Sequence, residues 1–304
     1  MNIVLELMEE LRRLNITRFE GLSKGFSTAQ KYVLYSKDDA PQYLLKIYGM
    51  DKAERCKIKF DLLKRHFDNA VSCQRPIQFG IHDELQVCYI VLSYVQGESG
   101  DKSIPSKSVE EQYTLGVLAG KELKTIHRVT PAKPYDWYHK RTQKYRNKVD
   151  ECKRRGLTFY RQDFIEQYIQ ENIHWLKDSP VTFQHDDFHP QNMIVKSDGT
   201  IAIIDFDSYD WGDPFEEFFK LPKYTIYLSV SFAKGQVDGY FDHKIPETFW
   251  RKYNLFVALN QHASQLGGVI SNNLAYVQER TRSIIETHDF HNNGAPDWYT
   301  RCPV

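Results

Sequence analysis

VTFQHDDFHPQNMIVKSDGTIAIIDFD, residues 181–207, is the stretch whose reading decides the fold. It holds His185, Asp187 and Asn192 in the order H-x-D-x-x-x-x-N, with Asp205 and Phe206 following closely. Residues 193–195 and 201–204 read as short apolar strands on either side of Ser197, Asp198, Gly199 and Thr200. Asp-Gly is a strong signal for a two-residue hairpin turn. Such a turn would set Asn192 directly opposite Asp205.

An amide oxygen and a carboxylate at facing positions are hard donors of the kind Mg²⁺ takes while it keeps waters and phosphates. Asp187, on the loop before them, can orient an acceptor hydroxyl and take its proton. Taken singly, Asp187 reads as a loop-capping carboxylate and Asn192 as a turn residue; the joint spacing carries the argument. Base, then metal-binding Asn, then metal-binding Asp is the phosphoryl-transfer order of protein kinases.

Working outward, residues 31–36 and 42–48 flank the turn formers Asp38, Asp39 and Pro41 and predict a hairpin. Ala53, Cys56, Phe60, Leu63 and Phe67 recur at helical spacing over 51–67. Strands return at 76–81 and 86–95. The polar run 98–108, with Gly100 and Pro105, is the best linker candidate. Ser108 with Glu111 three residues on forms a capping box that opens a helix to about His127. The Lys- and Arg-rich segment 138–155 reads as a solvated helical face. Trp211, Phe215, Phe218 and Phe219 have the spacing of a buried helical face. Helices are expected through the rest of the chain.

Composition narrows the function classes. The 304 residues are 41% apolar and 14% aromatic, enough for a substantial core. Forty basic and forty acidic side chains cancel, so no nucleic acid and no membrane surface is implied as a partner. The first fifteen residues place Ile3, Leu7, Leu11 and Leu14 on one face of an amphipathic helix, without the pattern of a signal peptide. Cys56, Cys73, Cys88, Cys152 and Cys302 are odd in number and scattered, so neither a disulfide framework nor a zinc site is expected, and a cytoplasmic location fits.

HDDFHPQN with IIDFD resembles the aminoglycoside phosphotransferase family and its relatives such as choline, homoserine and methylthioribose kinases. That family's loop typically reads H-G-D-x-x-x-x-N, and the Gly212-Asp213-Pro214 stretch looks like the G-D-P that it places just beyond. The resemblance implies that Lys46, in QYLLKIYG, contacts the α- and β-phosphates. It implies that backbone groups around Ser93 to Val95, in CYIVLSYVQGES, bond the purine. It also makes Gly25, Phe26 and Ser27, in EGLSKGFSTAQ, candidates for the loop over the phosphates. His185 is expected to brace the catalytic loop, and His189 to be structural or solvent-facing. Two departures stand out: Lys59 occupies the place where a glutamate should hold Lys46, leaving Glu54 as the nearest acidic candidate, and Asp186 and Asp207 replace glycines.

The expected fold is therefore α+β, a bilobal protein-kinase-like fold. A small antiparallel-sheet lobe spans 1–97, a hinge lies near 93–98, and a larger, mainly helical lobe covers 98–304. The expected activity is Mg²⁺-dependent transfer of the γ-phosphoryl of ATP or GTP to a hydroxyl of a small molecule. Nine carboxylates between His185 and Phe219, against Lys196 alone, point to a cationic acceptor, with an aminoglycoside-type antibiotic in the lead. A metabolic kinase of choline, amino-sugar or homoserine type is the alternative, as is a non-catalytic nucleotide-binding protein. A protein kinase is disfavoured, since no A-P-E segment follows Asp207.

Overall fold

The computed structural model describes residues 3–22, 29–37 and 39–304. The chain forms two compact units, Met1–Glu98 with Ile194–Asp207, and Ser99–Met193 with Ser208–Val304. The expected division at residue 98 gave 194–207 to the C-terminal part, but this segment packs with the N-terminal one.

The first unit is built on five antiparallel strands, β1 (Arg18–Gly21), β2 (Gln30–Tyr35), β3 (Pro41–Gly49), β4 (Pro76–His82) and β5 (Val87–Ser93). Their order in the sheet is β1-β2-β3-β5-β4, which puts β3 in the middle. Side chains alternate across a strand. Leu45 and Ile47 of β3, with Val87, Tyr89 and Val91 of β5, therefore point to one face, where Val4, Leu7 and Leu11 cover them. The N-terminal segment supplies that cover as a short helix α1 (Ile3–Leu7) followed by turns to Leu14. Lys46 falls on the opposite face.

That opposite face carries α2 (Ala53–Asp68). Its buried residues are Cys56, Leu62, Leu63 and His66, while Phe67, counted in the apolar stripe, is exposed. Cys56 and Leu63 of the expected stripe are buried, and only at its end does His66 take the place of Phe67, packing its ring on Phe206 at 5.2 Å. Segment 194–207 is tied to the chain just after α2. Ile203 donates its amide to Ser72 O at 2.8 Å, and Ser72 Oγ donates to Ile201 O at 2.6 Å.

In the second unit the expected linker at 98–108 is ordered. Gly100–Ser103 is a helical turn, and Gly100, Ser103 and Ile104 are buried. A side chain at Gly100 would stand 2.6 Å from the carbonyl oxygen of Pro190, so this small residue packs where a linker would be free. The capping box forms as expected: Glu111 N donates to Ser108 Oγ and Ser108 N to the Glu111 carboxylate, opening helix Val109–Ile126. This helix packs on Val230–Tyr240 through paired glycines, Gly116 and Gly120 against Gly235 and Gly239. Phe218 is wholly buried against Tyr240 and Phe249, but the helical face expected of its aromatic cluster does not form: Trp211 lies in the strand Asp210–Gly212, paired with Phe183, and Phe215 and Phe219 are half-buried.

The buried His288 sets an acid limit on this unit. Its Nδ1 lies 2.8 Å from Ile284 O and its Nε2 3.0 Å from Tyr253 Oη, which also accepts from Trp298 Nε1. A neutral ring donating through Nδ1 and accepting at Nε2 satisfies all three bonds. Burial pushes its pKa from near 6.5 down to about 4, against a small opposing pull from the Ile284 carbonyl. The unfolded chain therefore takes up a proton that the folded chain refuses. Stability is complete above pH 6.5 and falls as pH drops toward 4, by about 2 kcal/mol at pH 5. Thermal melts of wild type and His288→Gln at pH 7.5 and 5 check this: the variant should show the shallower pH dependence.

Candidate active site

Lys46 lies at the centre of the sheet, paired across to Lys31 of β2 and Ile90 of β5, which excludes an exposed edge lysine. Its side chain is 5% exposed, and Nζ donates to Asp207 Oδ2 at 2.7 Å and to Asp205 Oδ1 at 3.1 Å. Burial opposes the ammonium charge, but the two carboxylates outweigh burial and raise its pKa. Burial likewise opposes ionisation of Asp207, which Lys46 and Lys59 overcome, holding its carboxyl well below the usual range. Glu54 is not the partner of Lys46; Asp207 and Asp205 are.

The turn between the strands Met193–Val195 and Ile201–Ile203 differs from the expected one. Gly199 N donates to Lys196 O at 3.1 Å and Lys196 N to Thr200 O at 2.9 Å, so three residues, Ser197 to Gly199, make the loop. A two-residue type I′ turn needs positive φ at both central positions. Only Gly199 has it, at +80°, while Asp198 instead accepts from Thr200 N and Oγ1. Asn192 also lies outside the strand, in the short turn Pro190–Asn192. The register that would have set it opposite Asp205 is not formed.

In the second unit Asp187 is held on both oxygens. Asn192 Nδ2 donates to Oδ2 at 2.7 Å and to the Asp187 backbone carbonyl at 2.9 Å. His189 Nε2 stands 2.9 Å from Oδ1. Burial pushes this carboxyl upward, but the bond and charge of His189, then Asn192, bring it down to about 2. His189, expected to be structural or solvent-facing, thus belongs to the site. Its two-residue offset from Asp187 was the available signal. His185 is fully buried, its ring edge-on to Phe188 at 5.9 Å.

Asp186 has φ of +59°. This explains why glycine is usual here and why an aspartate is tolerated, since Asp enters the left-handed region more readily than most residues. Its amide donates to Glu217 Oε1 at 3.0 Å, and its carboxylate accepts from the buried Lys220 at 3.4 Å, so the loop is anchored. Asp213 of the Gly-Asp-Pro stretch is buried, accepts from Phe215 N and pairs with Lys252 at 2.8 Å.

The acidic surplus between His185 and Phe219 is largely consumed inside the units. Lys220 serves Asp186 and Glu217, Arg141 serves Glu216, and Lys252 serves Asp213. Lys46 and Lys59 serve Asp205 and Asp207, and Lys144 lies 3.7 Å from Asp210. Lys220 stands just past the counted stretch and the other cations come from well outside it, so a count confined to 185–219 overstated the negative field. Of the expected purine contacts, Ser93 spends its amide on Arg75 O at 2.8 Å, and Val95 stands in the irregular stretch beyond β5. Gly25, Phe26 and Ser27 lie outside the described residues.

An antiparallel sheet with a buried central lysine, followed by a helical unit bearing the Asp187 loop, defines a kinase-like fold. The phosphotransferase enzyme family model matches residues 18–255, and the chain belongs to that family. No curated protein sequence matches it. Among solved structures it is similar to the wild-type aminoglycoside 2'-phosphotransferase-IIIa in its GDP complex, with a TM-score of 0.66 at 16% identity over 96% of this chain and 98% of that one. It is also similar to APH(2")-IIa in its gentamicin complex (0.63, 19%, 95% and 98%). A third likeness is to the amicoumacin kinase hAmiN bound to AMP-PNP, Ca²⁺ and Ami (0.62, 15%, 95% and 97%). Among the described residues no helix is long and apolar enough to cross a membrane.

Proposed function

We propose that this chain is a cytoplasmic small-molecule kinase that moves the γ-phosphoryl of ATP or GTP to a hydroxyl of a small acceptor. The observation that carries this reading is Asp187, ionised and aimed by Asn192 and His189. The acceptor oxygen bonds to the γ-phosphorus as the bond to the β,γ-bridging oxygen breaks. Asp187 orients the hydroxyl and receives its proton. With so low a pKa it is a weak base, which suits a loose transition state in which the proton leaves late.

Lys46 contacts the α- and β-phosphates, and backbone groups near Val95 bond the purine. The donor chemistry fits Mg²⁺: Asn192 spends its amide nitrogen on Asp187, which leaves its oxygen, and Asp205 adds a carboxylate. When bound, the ion neutralises charge on the phosphate oxygens.

For the acceptor, the likeness to aminoglycoside and amicoumacin kinases supports an antibiotic. The internal pairing of the acidic residues removes the charge argument for a strongly cationic one. That same pairing favours a second reading, a metabolic acceptor of lower charge such as an amino sugar or homoserine. A coupled nucleotide-turnover screen with Mg-ATP and Mg-GTP against aminoglycosides, amicoumacin, choline, amino sugars and homoserine tests both. Turnover with one acceptor class is expected. Nucleotide binding without turnover on any of them would replace the kinase with a non-catalytic nucleotide binder.

A further inference from the structure

Asp207 stands where the kinase motif has a glycine, and Lys59 where the helix should offer a glutamate. In the first unit these two departures meet. The two oxygens of Asp207 face two lysines: Oδ2 is 2.7 Å from Lys46 Nζ, and Oδ1 is 3.7 Å from Lys59 Nζ on α2. Tyr48, which shares the Lys46 face of β3, brings its hydroxyl to 3.5 Å from Oδ2. The side chains of Lys46, Lys59 and Asp207 are 5, 13 and 20% exposed, and Phe60, Ile90 and Phe206 wall the small cavity that they line. Charges are weakly screened in such surroundings.

We infer that Asp207 and Lys59 are a charge-inverted replacement for the helix glutamate, with Asp207 as the positioning residue that aims Lys46 and Lys59 as the α2 side chain that fixes Asp207. This rests on the kinase reading. A metal ion held by Asp205 would take that carboxylate away from Lys46 and would leave Asp207 to aim Lys46 toward the phosphates. The pair performs by two oppositely charged side chains what one carboxylate on α2 would do.

The test is a cycle of Asp207→Asn, Lys59→Glu and the double variant, with nucleotide affinity measured by calorimetry, KM for nucleotide, kcat, and thermal melts. Asp207→Asn keeps the shape and removes the charge, and should raise the nucleotide KM about tenfold or more. Lys59→Glu alone sets two carboxylates against each other and should weaken binding similarly. In the double variant Glu at 59 again offers Lys46 a carboxylate, and the KM should return to within about threefold of wild type. A packing role would lower the melting temperature without moving KM, and its losses would add in the double variant. That result, or a single Asp207→Asn with unchanged KM, overturns the inference. Failure of the wild-type chain to bind nucleotide would instead overturn the kinase reading itself.

Discussion

Asp187→Ala should lower phosphoryl transfer by about a thousandfold or more while nucleotide binding stays measurable. The substitution removes the acceptor of the hydroxyl proton and the group to which both His189 and Asn192 bond. Lys46, Asp205 and Asp207 belong to the other unit, and the substitution leaves them intact. A steady-state assay at saturating acceptor, paired with nucleotide calorimetry, reads both quantities; turnover within tenfold of wild type would remove Asp187 from its role. The pH dependence follows from its sign. A carboxyl held near pH 2 stays ionised throughout the range in which the protein is folded, so Asp187 should contribute no acid limb to kcat above about pH 4.

Gly120→Ala should be strongly destabilising in the helical unit, costing roughly 3 kcal/mol or more. A methyl group there would lie 2.2 Å from the carbonyl oxygen of Gln236 and 2.5 Å from the amide of Tyr240. Both are backbone atoms, so no rotamer change relieves the clash and the helices must separate. The opposed Gly239 meets the carbonyl oxygen of Val117 at 2.2 Å, so the contact is close on both helices. Such small-x-x-x-small pairs let helix backbones approach more nearly than larger side chains permit. Moving the helices apart would also uncover Leu115, Ala119 and Leu123 on one side and Phe232 and Val237 on the other, all buried. Chemical denaturation should show a lower midpoint with little change in slope. A midpoint equal to wild type would mean that the helices re-pack at no cost.

Much of the chain was legible because local rules acted alone. The Ser108 capping box needs only residues three apart, and β2 to β5 needed only apolar alternation and turn formers, while β1 (Arg18–Gly21) went unread. The last position of the α2 stripe departs, with His66 buried in place of Phe67, because that burial depends on Phe206, far along the chain. The Asp-Gly turn was misread because Asp198 bonds Thr200 and keeps a negative φ, which lengthens the loop by one residue. The glycines of the two packed helices show a G-x-x-x-G spacing in each, but that spacing names no partner, so their pairing was decided only when the helices came together.

By itself, then, the amino-acid sequence determined the order of elements and the residue types of the candidate site, because an H-x-D-x-x-x-x-N loop ahead of an Asp-Phe-Asp is a one-dimensional pattern. Which charge answers which was decided only by the tertiary structure. Lys46 meets Asp207 across 161 positions of chain, and Arg141 meets Glu216 across 75. Electrostatic attraction acts through space, so a count of carboxylates along one segment could not show that lysines and an arginine outside it already pair with most of them.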